Sequence, residues 1–240
     1  MNVFELSRGF ASEVIGSFWL AFSFGWTEKN QQAGEFGPLH LALAQFAAFT
    51  SAAWVFLPSC PGALNPGVTA SLWRSGRVKG VVASLALAAQ FLGALMAVAA
   101  LGFAYPSAHK SKIFPSTGCF GCLEVQDFGT VAAIVTELLG GFLLVLVYFA
   151  SVIDKRGEKD LYGPALGSVF LLLNAAFGSA MNIGINPLRF LAAALMNLKL
   201  GPVHVYLAPA LIGGLFAGWV YEKYLLVDQP QVSENKLRAD

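Results

Sequence analysis

Two short stretches decide how this sequence folds: Gly62-Ala63-Leu64-Asn65-Pro66-Gly67-Val68-Thr69 and Gly184-Ile185-Asn186-Pro187-Leu188-Arg189. Each places Asn-Pro at the head of a short apolar run, Pro66 to Trp73 in the first and Pro187 to Leu198 in the second. Proline at the first helical position costs little, because the N–H it lacks would have no intrahelical partner there. Asparagine just before it is a favoured cap. The spacing predicts two short helices, each starting at its Asn-Pro pair. Neither is long enough to cross a bilayer, which takes roughly 17 to 25 residues.

Working outward from these motifs, longer apolar stretches begin near Phe10, Leu39, Gly80, Phe128, Tyr162 and Pro202. Each reads as a spanning helix, making six. Of the 240 residues, 56% are hydrophobic and 12% charged, against about 25% charged in soluble domains. So few charges cannot cover a water-facing surface of this size, so most of the surface must face lipid. The formal net charge of +1 provides no basic field for nucleic acid. The run from Phe10 to Trp26 lacks a small-x-small cleavage site and reads as a retained first helix.

The two halves resemble each other. Glu13-Val-Ile-Gly-Ser-Phe matches Glu137-Leu-Leu-Gly-Gly-Phe, and Gln90-Phe-Leu-Gly-Ala matches Ala208-Pro-Ala-Leu-Ile-Gly-Gly less closely. The glutamates lie 124 positions apart (137 − 13) and the asparagines 121 apart (186 − 65). Three spans per half force the second copy to be inverted across the membrane, and paired short segments in such repeats point to a site at the midplane. The chain reads as one membrane domain over 1–240, with repeat one at about 8–104, repeat two at about 128–226 and a tail over 227–240. Lysine and arginine concentrate on one side: Arg8, Arg74, Arg77, Lys79, Lys155, Arg156, Lys159, Lys223, Lys236 and Arg238 against Lys29, Lys110, Lys112 and Lys199. That bias puts both termini in the cytoplasm. Which membrane holds the protein is left open.

Arg189 falls in neither group, because it lies inside a short embedded segment. A membrane-embedded arginine costs about 2.5 to 3.5 kcal/mol on insertion scales, so it should line water or meet backbone carbonyls. Its charge would repel cations and its donors would hydrogen-bond a neutral molecule. Asn65 and Asn186 stand at helix N-termini, which carry unpaired N–H groups and partial positive charge. Two amide donors meeting at the midplane would hold the oxygen of a small neutral molecule and oppose passage of protons and cations. Glu13 and Glu137 read as the only acids well inside helices. Their matched positions suit hydrogen bonding to the exposed N–H groups of each re-entrant loop, since irregular backbone at this depth needs such partners.

Together these pieces resemble the major intrinsic protein family, the aquaporins and aquaglyceroporins, from about Phe10 to Leu226. The resemblance implies an all-α membrane fold of six tilted helices plus two re-entrant half-helices, assembled as a homotetramer with one pore per subunit. It implies passive passage of water, with glycerol, urea, ammonia or peroxide as further candidates. The pore motifs are then Asn65, Pro66, Gly67 and Asn186, Pro187, Leu188. The third position is usually alanine in both copies, and an exchange of size between Gly67 and Leu188 across the pore centre is expected. Carried over by spacing, the selectivity filter comprises Arg189, Asn174, Ile183 and either Gln45 or Phe46. Asn174 stands where water-selective members usually have histidine, which implies a somewhat wider, uncharged filter.

Enzymatic chemistry finds no support. No nucleophile–base pair lies in the apolar segments, and His40, His109 and His204 fall near helix ends in different loops. Cys119 and Cys122 form a lone CxxC that reads as incidental, and no cofactor or metal is implied. A coupled transporter would need titratable groups along its path, and a low-conductance junctional or structural protein remains the other alternative.

Overall fold

In a computed structural model the described residues are 3–35, 37–104, 129–177, 184–196, 200 and 203–226. They form α1 (Val3–Gln32), α2 (Pro38–Phe56), α3 (Pro66–Arg74), α4 (Gly80–Ala104), α5 (Gly129–Tyr148), α6 (Tyr162–Phe177), α7 (Pro187–Met196) and α8 (Val203–Val220). No strand occurs among the described residues. Six helices are long, and α3 and α7 are the short ones that the Asn-Pro pairs predict. Four helical segments are long and apolar enough to cross a membrane: Pro38–Ser59, Gly80–Ala104, Thr130–Ile153 and His204–Leu225. Of the other two long helices, α1 has 30 residues but carries Glu5, Arg8, Glu13, Glu28 and Lys29. Helix α6 has 16 described residues, about 24 Å of helix.

Helix pairing follows the repeat. Helix α1 packs along α4 in the first half as α5 packs along α8 in the second, and α2 meets α6 across the halves. Lipid supplies no hydrophobic drive between helices, so close crossing depends on small residues. A Cβ on Gly93 of α4 would overlap the Val14 carbonyl oxygen of α1, and one on Gly213 of α8 would overlap the Leu138 carbonyl oxygen of α5. These two contacts lie 120 positions apart (213 − 93), close to the motif spacing. Gly141 on α5 approaches the Ala210 carbonyl in the same way, and Gly167 on α6 sits against Thr50 and the Phe46 carbonyl of α2.

Apolar burial is divided between two regions. One gathers α2, α3, α5 and α6 around Phe49, Leu64, Val68, Phe149 and Phe170, and the other joins α1, α4, α7 and α8 around Ala97, Leu101, Phe190 and Tyr206. Trp19, Leu43, Leu92, Met96, Leu139, Leu172, Ile212 and Phe216 are exposed on the outside of the bundle, as expected of lipid-facing positions.

The ends of α5 and α8 unwind through matching π turns, Phe149–Ile153 and Tyr221–Leu225. Asp154 accepts from the Tyr221 hydroxyl at 2.8 Å and from Arg156 Nη2 at 2.6 Å, while Arg156 also donates to the Leu225 carbonyl at 2.7 Å. The Arg156 guanidinium and backbone N–H hold the Asp154 carboxyl well below the usual carboxylate range. Glu222 bridges Arg74 and Arg77 beside it, at 3.1 and 2.9 Å. This polar cluster fastens α3, α5 and α8 at one end of the bundle.

Two sequence expectations need correction. The sequence reads Glu13 and Glu137 as the only acids well inside helices, but α1 continues to Gln32, and Glu28 and Lys29 are both buried at 2% exposure. Glu13 and Glu137 are therefore not the only acids deep in the helices. The size exchange between Gly67 and Leu188 is also not what the geometry shows. The atoms nearest a Cβ on Gly67 are Asn65 Oδ1 at 3.2 Å, the Ala210 carbonyl at 3.6 Å and Val145 Cγ2 at 3.8 Å. Gly67 accommodates the approach of α8, and only Asn65 Oδ1 would have to yield. Gly67→Ala is therefore expected to change stability by less than about 1 kcal/mol, below the usual overpacking range, with or without Leu188→Ala. Thermal unfolding in detergent of the two single variants and the double measures this.

Candidate functional site

The two short helices begin at the same place, and their starts are built alike. Asn65 Oδ1 accepts from the N–H groups of Gly67 at 2.9 Å and Val68 at 3.3 Å. Asn186 Oδ1 accepts from the N–H of Arg189 at 3.1 Å. Each asparagine thereby caps its own helix with its oxygen and keeps its NH2 for the other repeat. Asn65 Nδ2 donates to the Ile185 carbonyl at 2.9 Å, and Asn186 Nδ2 donates to the Leu64 carbonyl at 3.3 Å. An amide NH2 has two hydrogens. The second on each asparagine has no partner among the described residues.

The loop before each asparagine is held in place by a glutamate. Leu64 (φ 60°) and Ile185 (φ 46°), each just before its asparagine, adopt the left-handed conformation, as does Ala63 (φ 55°). That conformation costs roughly 1 to 2 kcal/mol per non-glycine residue. It turns the Leu64 and Ile185 carbonyls toward the opposite motif. Glu13 accepts from the N–H groups of Gly62 and Leu64, the second at 3.1 Å, and from Gln90 Nε2 at 2.9 Å. Glu137 accepts from the N–H groups of Gly184 at 2.6 Å and Ile185 at 2.9 Å. Thr69 and Gln90 complete the first loop, the hydroxyl donating to the Gly62 carbonyl at 2.7 Å and the amide reaching Thr69 Oγ1 at 3.0 Å. The N–H groups of Gly62, Leu64, Gly184 and Ile185, which no helix satisfies, thus find acceptors.

Arg189 lies in the first turn of α7 and is 4% exposed. Its Nη1 meets Glu28 Oε1 at 2.8 Å, and the guanidinium lies 5.3 Å from the centre of the Phe24 ring. Gln45 Nε2 donates to the same Glu28 oxygen at 3.2 Å, and Gln45 Oε1 accepts from Asn174 Nδ2 at 2.9 Å. Asn174 also donates to the Phe170 carbonyl one turn back, at 2.9 Å. Residues from α7, α1, α2 and α6 therefore form one chain of hydrogen bonds: Arg189, Glu28, Gln45, Asn174. Between the alternatives at helix two, Gln45 joins this group, whereas the Phe46 carbonyl packs against Gly167. The space expected from an asparagine at 174 is occupied by Gln45, and the group contains a carboxylate. Ile183 lies outside the described residues, as do Cys119 and Cys122.

Glu28 is the residue that sequence reading missed. A signal was available: Glu28 follows Glu13 by 15 positions (28 − 13), about four turns at 3.6 residues per turn, which places both on one face of α1.

Comparison with known proteins agrees with this architecture. The family model described as "Major intrinsic protein" matches residues 2–221. A protein named "Probable aquaporin AqpM" from Archaeoglobus fulgidus is 29% identical over 245 residues, covering 90% of this chain and 96% of its own length. "Aquaporin TIP3-2" from Zea mays is 33% identical over 168 residues, covering 69% of this chain and 59% of its own length. Among solved structures, the aquaglyceroporin from Plasmodium falciparum superposes with a TM-score of 0.69 at 20% identity, over 91% of this chain and 96% of that one.

Proposed function

The chain belongs to the major intrinsic protein family, and from that premise we propose that it is a passive transmembrane channel for water that excludes protons and ions. Small neutral solutes are its further candidates, with glycerol, urea, ammonia and peroxide in that group. It is an integral membrane protein and not an enzyme. The observation that carries the reading is the reciprocal asparagine pair. Two helix N-termini, each capped by an asparagine whose amide crosses to the other repeat, meet with one spare donor on each amide. A water molecule at that point accepts from both donors, so its own hydrogens point away along the path. That orientation interrupts a proton wire, and the positive helix ends oppose cations.

Arg189, Gln45 and Asn174 form the narrow constriction in this reading, with Ile183 as a further contributor, and Glu13 and Glu137 hold the loops. The Lys and Arg distribution supports cytoplasmic termini, and family resemblance supports a homotetramer. Proteoliposomes of purified protein are expected to shrink in a sucrose gradient well above the empty-liposome rate, read by stopped-flow light scattering. Arg189→Val, which removes the guanidinium from the constriction, should raise glycerol re-entry relative to water by roughly tenfold, equivalent to about 1.4 kcal/mol. Empty-liposome rates for the wild-type protein would overturn the channel reading.

A further inference from the structure

The buried partner of Arg189 changes what the constriction offers to a passing molecule. Alone, the arginine would present donors only and a fixed positive charge. Here Glu28 Oε1 takes both Arg189 Nη1 and Gln45 Nε2, which leaves Oε2 unused. Glu28 Oε2 and Arg189 Nη2 are both buried with no hydrogen-bond partner among the described residues. The two charges of the pair, with ion-pair atoms 2.8 Å apart, offset each other for anything farther away. Asn174 holds Gln45, and the Phe24 ring backs the guanidinium while standing edge-on to Phe170 at 5.0 Å. These contacts hold the ion pair in place.

We propose that Glu28 is a specificity-determining residue of this constriction. By pairing with Arg189 it offsets the arginine charge, so that the constriction does not present an unbalanced cation to passing molecules. The proposal rests on the channel reading above and adds to it that ion discrimination at this level depends on the balance of the two charges. The arginine charge alone does not set it.

A charge series tests this in proteoliposomes, with water, chloride and methylammonium permeabilities measured on the same preparations and matched for incorporated protein. The wild-type pair is neutral, Glu28→Gln leaves one positive charge, Arg189→Gln leaves one negative charge, and Glu28→Gln with Arg189→Gln is neutral again. A single unbalanced charge at a low-dielectric constriction should move ion ratios by about tenfold. The chloride-to-water ratio should rise by that amount in Glu28→Gln, and the methylammonium-to-water ratio should rise similarly in Arg189→Gln. The double variant should bring both back toward wild type. If Glu28→Gln proves unable to fold, the comparison of Arg189→Gln with the double variant decides, because removing Glu28 there should lower methylammonium passage. Wild-type water conduction with a flat chloride ratio in Glu28→Gln, or a double variant indistinguishable from Arg189→Gln, overturns the proposal alone. Wild-type water flux at the empty-liposome rate overturns the channel reading and the proposal with it.

Discussion

Glu13→Ala is expected to abolish the folded protein or lower its melting temperature more than any other single change to the loops. The substitution leaves the N–H groups of Gly62 and Leu64 without their acceptor, and it removes one of the acceptors of the Gln90 amide, which keeps Thr69 Oγ1 and the Gly62 carbonyl. Each unsatisfied buried donor costs about 1 to 3 kcal/mol, so the two together remove at least about 2 kcal/mol. The left-handed residues Ala63 and Leu64 add to the effect, because the bonds that hold them in a costly conformation are gone. Glu13→Gln keeps one acceptor oxygen and should fall between alanine and wild type. Thermal unfolding in detergent, followed by size-exclusion recovery, reads the order. A melting temperature for Glu13→Ala equal to wild type would show that the carboxylate does not hold the loop.

Gly213→Val should fail comparably for a different reason. A Cβ at this position overlaps the Leu138 carbonyl oxygen and lies 3.0 Å from the Phe142 nitrogen. Both obstacles are backbone atoms of α5, and a rotamer change cannot move them. The only relief is to separate α5 from α8, the closest pairing in the second half. The expected loss is at or beyond the upper end of the overpacking range, about 3 kcal/mol. Leu92→Val is the control: Leu92 is exposed on the outside of α4, and that change should leave the melting temperature nearly unaltered. Retention of monodisperse protein by Gly213→Val would mean that the two helices approach less closely than described.

These two residues also mark how far sequence reading reaches. The matched glutamates and Asn-Pro pairs were legible because their meaning is local. A proline at a helix start, an asparagine before it and an acid at the same place in each half are visible in one dimension. Gly213 was legible only as a small residue on a spanning helix, and its sequence does not identify the atom it faces. Glu28 was misread for a related reason. A polar run, Thr27 to Gln32, ordinarily ends a membrane helix, yet α1 continues through it because Arg189, on a helix more than a hundred residues away, neutralises the buried carboxylate.

What the sequence determined by itself is the membrane class, the two half-helices, the inverted repeat and the two asparagines whose amides cross between the repeats. Periodic apolar length, helix capping and repeated motifs are properties of neighbouring residues, so they can be read along the chain. Only the tertiary structure decided that Gln45 and not Phe46 joins Asn174, that Gly67 yields space to α8 and not to Leu188, and that Arg189 is paired with Glu28. Each of these depends on which side chains from separate helices come within about 3 Å of one another, the range in which hydrogen bonds form. Packing of the whole bundle sets those distances.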